Sequence, residues 1–314
     1  MGEVGEIPIE ESQITPEVKR EIRKRLIIST DITSGAYFGG IKEAPQERDD
    51  GLALFMIRTA TKDQKLNPLF IMSIFTNNGD GRTSYNSLSR VRDAWGEGIP
   101  PIAQGAVEAR KPNLEAVQRV VELLSNSPEP ITLVGLGAFT DFAEVVRLAK
   151  EKGLAEKISE IVITAPAEDV EGQGMSFNTK QDRAALDYLR DSGQTLLYDW
   201  GGVLEHGVTR EMVQVLEKST DPLAKFVSEG LETRNRQLQR LSAISRSVGR
   251  NLPGVLPESE KRDGKMCIQD MIVPIYLTRP ELFERTKTQY GYRVSIKDHR
   301  GVNIQVNELL GIKE

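Results

Sequence analysis

The sequence predicts an α/β fold, Rossmann-like, with a mostly parallel central sheet, helices on both faces and a small C-terminal hairpin. Two observations carry that prediction. Short β-branched or aliphatic runs alternate with longer segments whose apolar residues recur three and four positions apart, and the loops between them are small and polar. Alternation of this kind implies crossover units and parallel strands covered on both sides. A third observation concerns organisation: there is no composition break and no internal repeat. Residues 25–314 therefore read as a single domain behind a polar N-terminal extension, residues 1–24.

Taken in chain order, Thr15-Pro16-Glu17 reads as the entry of a short helix, with Thr as cap, Pro in the first position and Glu in the first turn. Strands are expected over 25–29, 69–75, 131–134, 158–164 and 195–198, where aliphatic residues cluster. Helical spacing is expected over 51–61, 83–95, 113–126, 140–152, 182–192 and 209–218. Residues 221–250 are helical in pattern and rich in arginine (Arg234, Arg236, Arg240, Arg246, Arg250), which suits a solvated face and also a contact to an anionic substituent. From 292 to 306 apolar and polar residues alternate around Asp298-His299-Arg300-Gly301, the pattern of a terminal hairpin turning at those four residues.

Composition narrows the chemistry. With 46 acidic against 41 basic residues the net charge is −5, which gives no global positive field for nucleic acid or an anionic membrane. The expected partner is a small molecule. The polar, acidic start lacks the features of a secretory signal, and no apolar run approaches the roughly 20 residues of a membrane helix, so the expected location is cytoplasmic. One cysteine, Cys267, allows no internal disulfide and no thiolate cage for zinc. With only His206 and His299 as imidazoles, the chemistry must rest on carboxylates, amides and hydroxyls.

Three places put carboxylates where such a fold binds ligands. The first strand runs into Ser29-Thr30-Asp31, the next helix opens at Asp49-Asp50, and Gln269-Asp270 precedes the apolar stretch MIVPIYL. Aspartates at helix starts are ordinary caps, since they accept free amide hydrogens and favour the positive end of the helix dipole. In combination, at a strand mouth and two helix entries, they equally suit one oxygen-lined cavity of the kind calcium and magnesium prefer.

The runs IISTD, DDGLAL, ITLVGLGAFTDFA, SFNTKQDRAA and QDMIVPIYLTRPELF, with IPPIAQGA near residue 100, resemble the nucleoside hydrolases in order and approximate spacing, over about residues 25 to 306. The resemblance implies hydrolysis of the N-glycosidic bond of a ribonucleoside or related N-riboside, dependent on Ca2+, by a homodimer or homotetramer. It makes Asp31 a calcium ligand and the general base, and it makes Asp50, the Leu136 carbonyl and Asp270 the remaining ligands. Asp49 becomes a ribose contact, as do Asn77 or Asn78, ambiguous by one position, and Asn178. Gln269 falls beside the leaving base.

Departures from the family pattern are informative. Asp31 and Asp49 stand eighteen positions apart where the family has four. The inserted TSGAYFGGIKEAPQER carries Tyr37 and Phe38, which suit either a lid over a leaving base or a surface loop packed on itself. Ser29 and Ser176 replace an aspartate and a glutamate, which weakens the grip on the sugar. Gln269 stands where many members have a histidine; glutamine hydrogen-bonds a base edge but donates no proton at neutral pH. His206 lies in a loop after a strand and is a candidate leaving-group contact. A rival reading is a nucleoside- or sugar-binding protein on the same scaffold with little or no catalysis. Two other classes are excluded: Thr140 occupies the third glycine position after Gly135-Leu136-Gly137, which breaks the dinucleotide fingerprint, and the chain has no phosphate-loop Gly-Lys-Ser/Thr.

Overall fold

The computed structural model describes residues 23–32, 49–75, 81–164, 177–201, 207–231, 266–267 and 270–312. Strands β1 (Lys24–Thr30), β2 (Leu66–Ser73), β3 (Ile102–Gln104), β4 (Ile131–Gly135), β5 (Ile158–Ile163), β6 (Leu196–Gly201), β9 (Phe283–Thr288) and β10 (Gly291–Ile296) form one sheet in the order β3-β2-β1-β4-β5-β6-β10-β9. All neighbouring pairs are parallel except β9 with β10. A separate antiparallel pair joins β7 (Gly207–Val208) to β8 (Met266–Cys267).

Why these segments are strands follows from their burial. Every residue of Ile131–Gly135 is buried, as parallel strands covered on both faces require. Alternate side chains feed two different cores. Leu26, Ile28, Val134 and Val162 pack on one side, with residues of α1 (Asp49–Lys62) and α2 (Gly81–Trp95). Ile27, Leu133, Ile161 and Ile163 pack on the other, with α3 (Leu114–Asn126), α4 (Thr140–Glu151) and α6 (Arg183–Asp191).

The helices begin where their caps dictate. Asn113 accepts from the amides of Glu115 and Ala116, Asp182 from Ala185, and Thr209 from Met212 at the start of α7 (Arg210–Lys218). The short α5 (Phe177–Gln181) precedes α6, and residues 222–231 form α8. Toward the end, α9 (Ile272–Thr278) and α10 (His299–Leu310) join α1 in the first core.

The terminal hairpin is real but lies earlier than its sequence pattern places it. It is made by β9 and β10, which pair Thr288 with Gly291, and the segment expected to return as a strand is α10. Asp298 caps that helix through the Gly301 amide, Gly311 ends it at φ 72°, and Val302, Val306, Leu309 and Leu310 form its buried stripe. His299 is thus the first residue of a helix. Of the 221–250 segment, the portion beyond 231 lies outside the described residues, as does the expected helix near Thr15. No helix among the described residues is long and apolar enough to cross a membrane.

Candidate functional site

The sheet order places a switch point beside β1. From β1 the chain moves outward through β2 to β3, then crosses back to β4 on the opposite side and continues to β5 and β6. The two crossovers leave in opposite directions, so a crevice opens at the carboxyl ends of β1 and β4. Asp31 follows β1 there and Leu136 follows β4, with the Leu136 amide bonded to the Ser29 carbonyl at 2.9 Å. Glycine at 137 is what lets them approach: a Cβ there would lie 2.8 Å from Asp31 Cβ and Cγ.

Asp50, in the first turn of α1, is drawn to the same mouth by a hydrogen bond from Thr30 Oγ1 to its Oδ1. Asp31 and Asp50 are each 1% exposed and Asp270 is 5% exposed, at the start of the chain turn leading into α9. Asp49 opens α1. Asn178, in the first turn of α5, donates from Nδ2 to the Leu136 carbonyl at 2.7 Å. Thr164, just past β5, donates from Oγ1 to the same carbonyl at 3.0 Å. The sequence-predicted Asp31, Asp50, Leu136 and Asn178 are therefore linked around the ends of β1, β4 and β5. Tyr37, Phe38, Asn77, Asn78, His206 and Gln269 lie outside the described residues.

Thr30 and Thr164 were not expected from the sequence. Both stand at the carboxyl end of a strand, and that position was the available signal.

The donor set fits a hard divalent cation in kind, because it offers buried carboxylates and a backbone carbonyl and no sulfur or imidazole. Among the described residues, however, no three Asp, Glu, His or Cys side chains converge as a metal-binding group. The Leu136 carbonyl, which the resemblance makes a ligand, already accepts two hydrogen bonds.

A second set of buried acids braces the wall of the crevice. Asp141, fully buried in α4, accepts from the Ala106 amide at 2.6 Å and the Asn113 amide at 2.9 Å. Burial pushes its carboxyl up to about 6, against the pull of those two amides. Asp182 accepts from the Arg110 amide at 2.9 Å and from Thr140 Oγ1 at 2.6 Å. Together they hold the loop that follows β3. That loop in turn accepts the Phe75 amide on the Ala106 carbonyl at 2.9 Å, and Ile74, Phe75, Ala106 and Ala138 pack as a small cluster. At Gly105 a side chain would overlap the Ser73 carbonyl and the Asp141 carboxylate.

No protein-family model matches the sequence, and no curated protein matches it. Solved structures do match. A purine-preferring ribonucleoside hydrolase from Gardnerella vaginalis superposes with a TM-score of 0.66 at 14% identity, over 92% of this chain and 99% of that one. An inosine-uridine preferring nucleoside hydrolase from Bacillus anthracis gives 0.62 at 12%, over 92% and 100%. The type III effector protein XopQ, in complex with adenosine diphosphate ribose, gives 0.67 at 14%, over 92% and 94%. The chain thus has the fold of the nucleoside hydrolases over nearly its whole length.

Proposed function

From that fold and the aspartates at its mouth, we propose that the protein is an N-glycosyl hydrolase that cleaves the N-glycosidic bond of a ribonucleoside or a related N-riboside. The observation that carries the reading is the junction of Asp31, Asp50 and Leu136 at the switch-point crevice, built from buried residues and held by Thr30 and Gly137. Breaking the bond develops positive charge on the sugar. A crevice lined by carboxylates and carbonyl oxygens stabilises that state more than the neutral substrate.

In this reading Asp31, packed against the backbone of Gly137, accepts the proton of the attacking water. Asp49, Asn178 and Asn77 or Asn78 bind the ribose hydroxyls. Gln269 hydrogen-bonds the base without protonating it, so the leaving group is one that departs with little acid help or draws it from His206, with Tyr37 and Phe38 as candidate covers. Asp31, Asp50, the Leu136 carbonyl and Asp270 are the donors for Ca2+, which when bound would acidify the water and hold the sugar diol. The catalytic unit is taken to be residues 25–314, with residues 1–24 as an extension, acting in the cytoplasm as a homodimer or homotetramer.

One observation favours a second reading, a nucleoside or sugar binder with little catalysis. The Leu136 carbonyl is covered by two donors, and XopQ shows that a chain of this fold can be captured with a bound ribosyl compound. Base release from a panel of ribonucleosides with added calcium separates the two. Release that disappears in Asp31→Asn supports the hydrolase. Binding of calcium and ribonucleosides without release supports the binder, and release that persists in Asp31→Asn removes Asp31 as the base.

A further inference from the structure

Helix α6 lies between the parallel strands β5 and β6, so it runs back along the sheet from the crevice, and its last turn stands at the opposite end. Arg190 is buried there. Its Nη1 donates to Asp187 Oδ1 at 2.9 Å, and its guanidinium carbon lies over the Tyr290 ring, 5.0 Å from the ring centre. Nε and Nη2 are buried and meet no hydrogen-bond acceptor among the described residues. These two nitrogens share one edge of the guanidinium, the edge that takes a carboxylate or phosphate through two parallel hydrogen bonds.

Asp187 does not settle the charge. Its Oδ1 also accepts from Arg183 Nε at 2.9 Å, so one carboxylate, 48% exposed, faces two guanidinium groups, while the Arg190 side chain is 5% exposed. Carbonyls at the helix end are bonded elsewhere: that of Leu189 accepts from Ser192 Oγ at 2.7 Å, and that of Ser192 from Lys150 Nζ at 3.0 Å. A buried charge is costly unless its donors are answered. Tyr290 covers the group from a pinned turn. Its amide donates to Thr288 Oγ1 at 3.2 Å, and at the next residue, Gly291, a Cβ would lie 2.2 Å from the Leu196 carbonyl oxygen. The backbone is held there, which leaves the half-buried ring as the part that swings.

We propose that Arg190 is a binding site for a small oxyanion, a carboxylate or phosphate group that presents two oxygens to the Nε–Nη2 edge and is admitted when the Tyr290 ring rotates off the guanidinium. Asp187 keeps Nη1 and so fixes the plane in which that edge lies. The anion supplies the negative charge that one shared carboxylate does not. The site stands apart from the crevice and does not depend on the proposed hydrolysis.

The test is NMR of the full-length protein carrying 15N-labelled arginine, titrated with inorganic phosphate and separately with acetate at constant ionic strength. The Arg190 Nε–Hε signal is expected to shift and to saturate in the range of about 1 mM anion, while that of the exposed Arg119 stays in place. Saturation by phosphate alone marks a phosphate site, and by acetate alone a carboxylate site. Arg190→Lys keeps the charge but loses the two-donor edge, and is expected to weaken binding about tenfold in calorimetry. An Arg190 signal that stays in place with both anions up to about 10 mM, or that moves only in step with Arg119, overturns the site without any variant having to fold. Equal affinity in a folded Arg190→Lys overturns it as well. Each of these outcomes leaves the proposed hydrolase as it stands.

Discussion

Two groups of buried aspartates stand at the same edge of the sheet, and they are held differently. Asp141 and Asp182 accept from backbone amides of the 105–113 loop, so each ties one loop to the start of a helix. Asp50 accepts from a side-chain hydroxyl, Thr30 Oγ1, as Asp182 also does from Thr140 Oγ1, and Asp31 packs against the backbone of Gly137. Burial of an acid therefore does not by itself mark chemistry. Backbone donors answer a carboxylate permanently, because breaking them unfolds a loop, whereas hydroxyl and amide side chains exchange partners by rotating a bond. On this contrast the first pair serves the architecture, and the second group is the one the proposed function assigns to a ligand.

The largest effect that would break the contrast is on turnover. Asp31→Asn is expected to lower kcat for base release by about 10²–10⁴-fold while leaving the urea midpoint nearly unchanged. An equally large fall in stability would move Asp31 into the structural group. Asp182→Ala should do the reverse. It removes the cap of α6 and orphans the Arg110 amide and the Thr140 hydroxyl, so a loss of about 2–4 kcal/mol is expected in urea unfolding. A loss below about 1 kcal/mol would mean that the loop does not depend on this carboxylate.

Asp141 sharpens the contrast through pH. Its folded value is about 6 against an ordinary 3.8, so the fold favours its protonated form. The stability linked to this group is present below about pH 4 and is lost as pH rises through about 6. The full span is on the order of 3 kcal/mol. Unfolding free energies measured between pH 4 and 7, taken as the difference between wild type and Asp141→Asn, should show the wild type losing ground as pH rises. A flat difference would show that Asp141 is paid no penalty for its burial.

How much of this was legible differs by residue. The strand over 131–134 and the helices expected at 113, 182 and 209 were readable because a continuous aliphatic run and a capping side chain are local signals. In the structure Asn113, Asp182 and Thr209 are the caps themselves. The three residues of β3 and the five of α5 are too short to show a period. The window 292–306 joined a true strand, ending at Ile296, to the first turns of α10, and a period of two fitted the junction better than either part warranted. The places of Asp31 and Leu136 just past strand ends and of Asp50 at a helix start were legible from motif order. Thr30, Thr164 and the bracing role of Asp141 were not, since each acts through a partner at least 20 positions away in sequence.

The smallest expected effect tests the contrast from outside. Lys111 and Glu108 form an ion pair of 2.6 Å on the same loop that Asp141 and Asp182 hold, and its short distance invites a structural role. Its side chains are 70% and 55% exposed, so water screens the pair and each long side chain is restricted in forming it. Lys111→Ala should therefore change unfolding free energy by no more than about 0.5 kcal/mol and leave the Asp141 pH dependence in place. Distance would rank this pair beside the 2.6 Å bond from the Ala106 amide to Asp141, but burial separates them. A loss above about 1 kcal/mol in Lys111→Ala would show that the loop is clamped from its surface. The division between architectural and ligand-facing aspartates would then have to be drawn without Asp141.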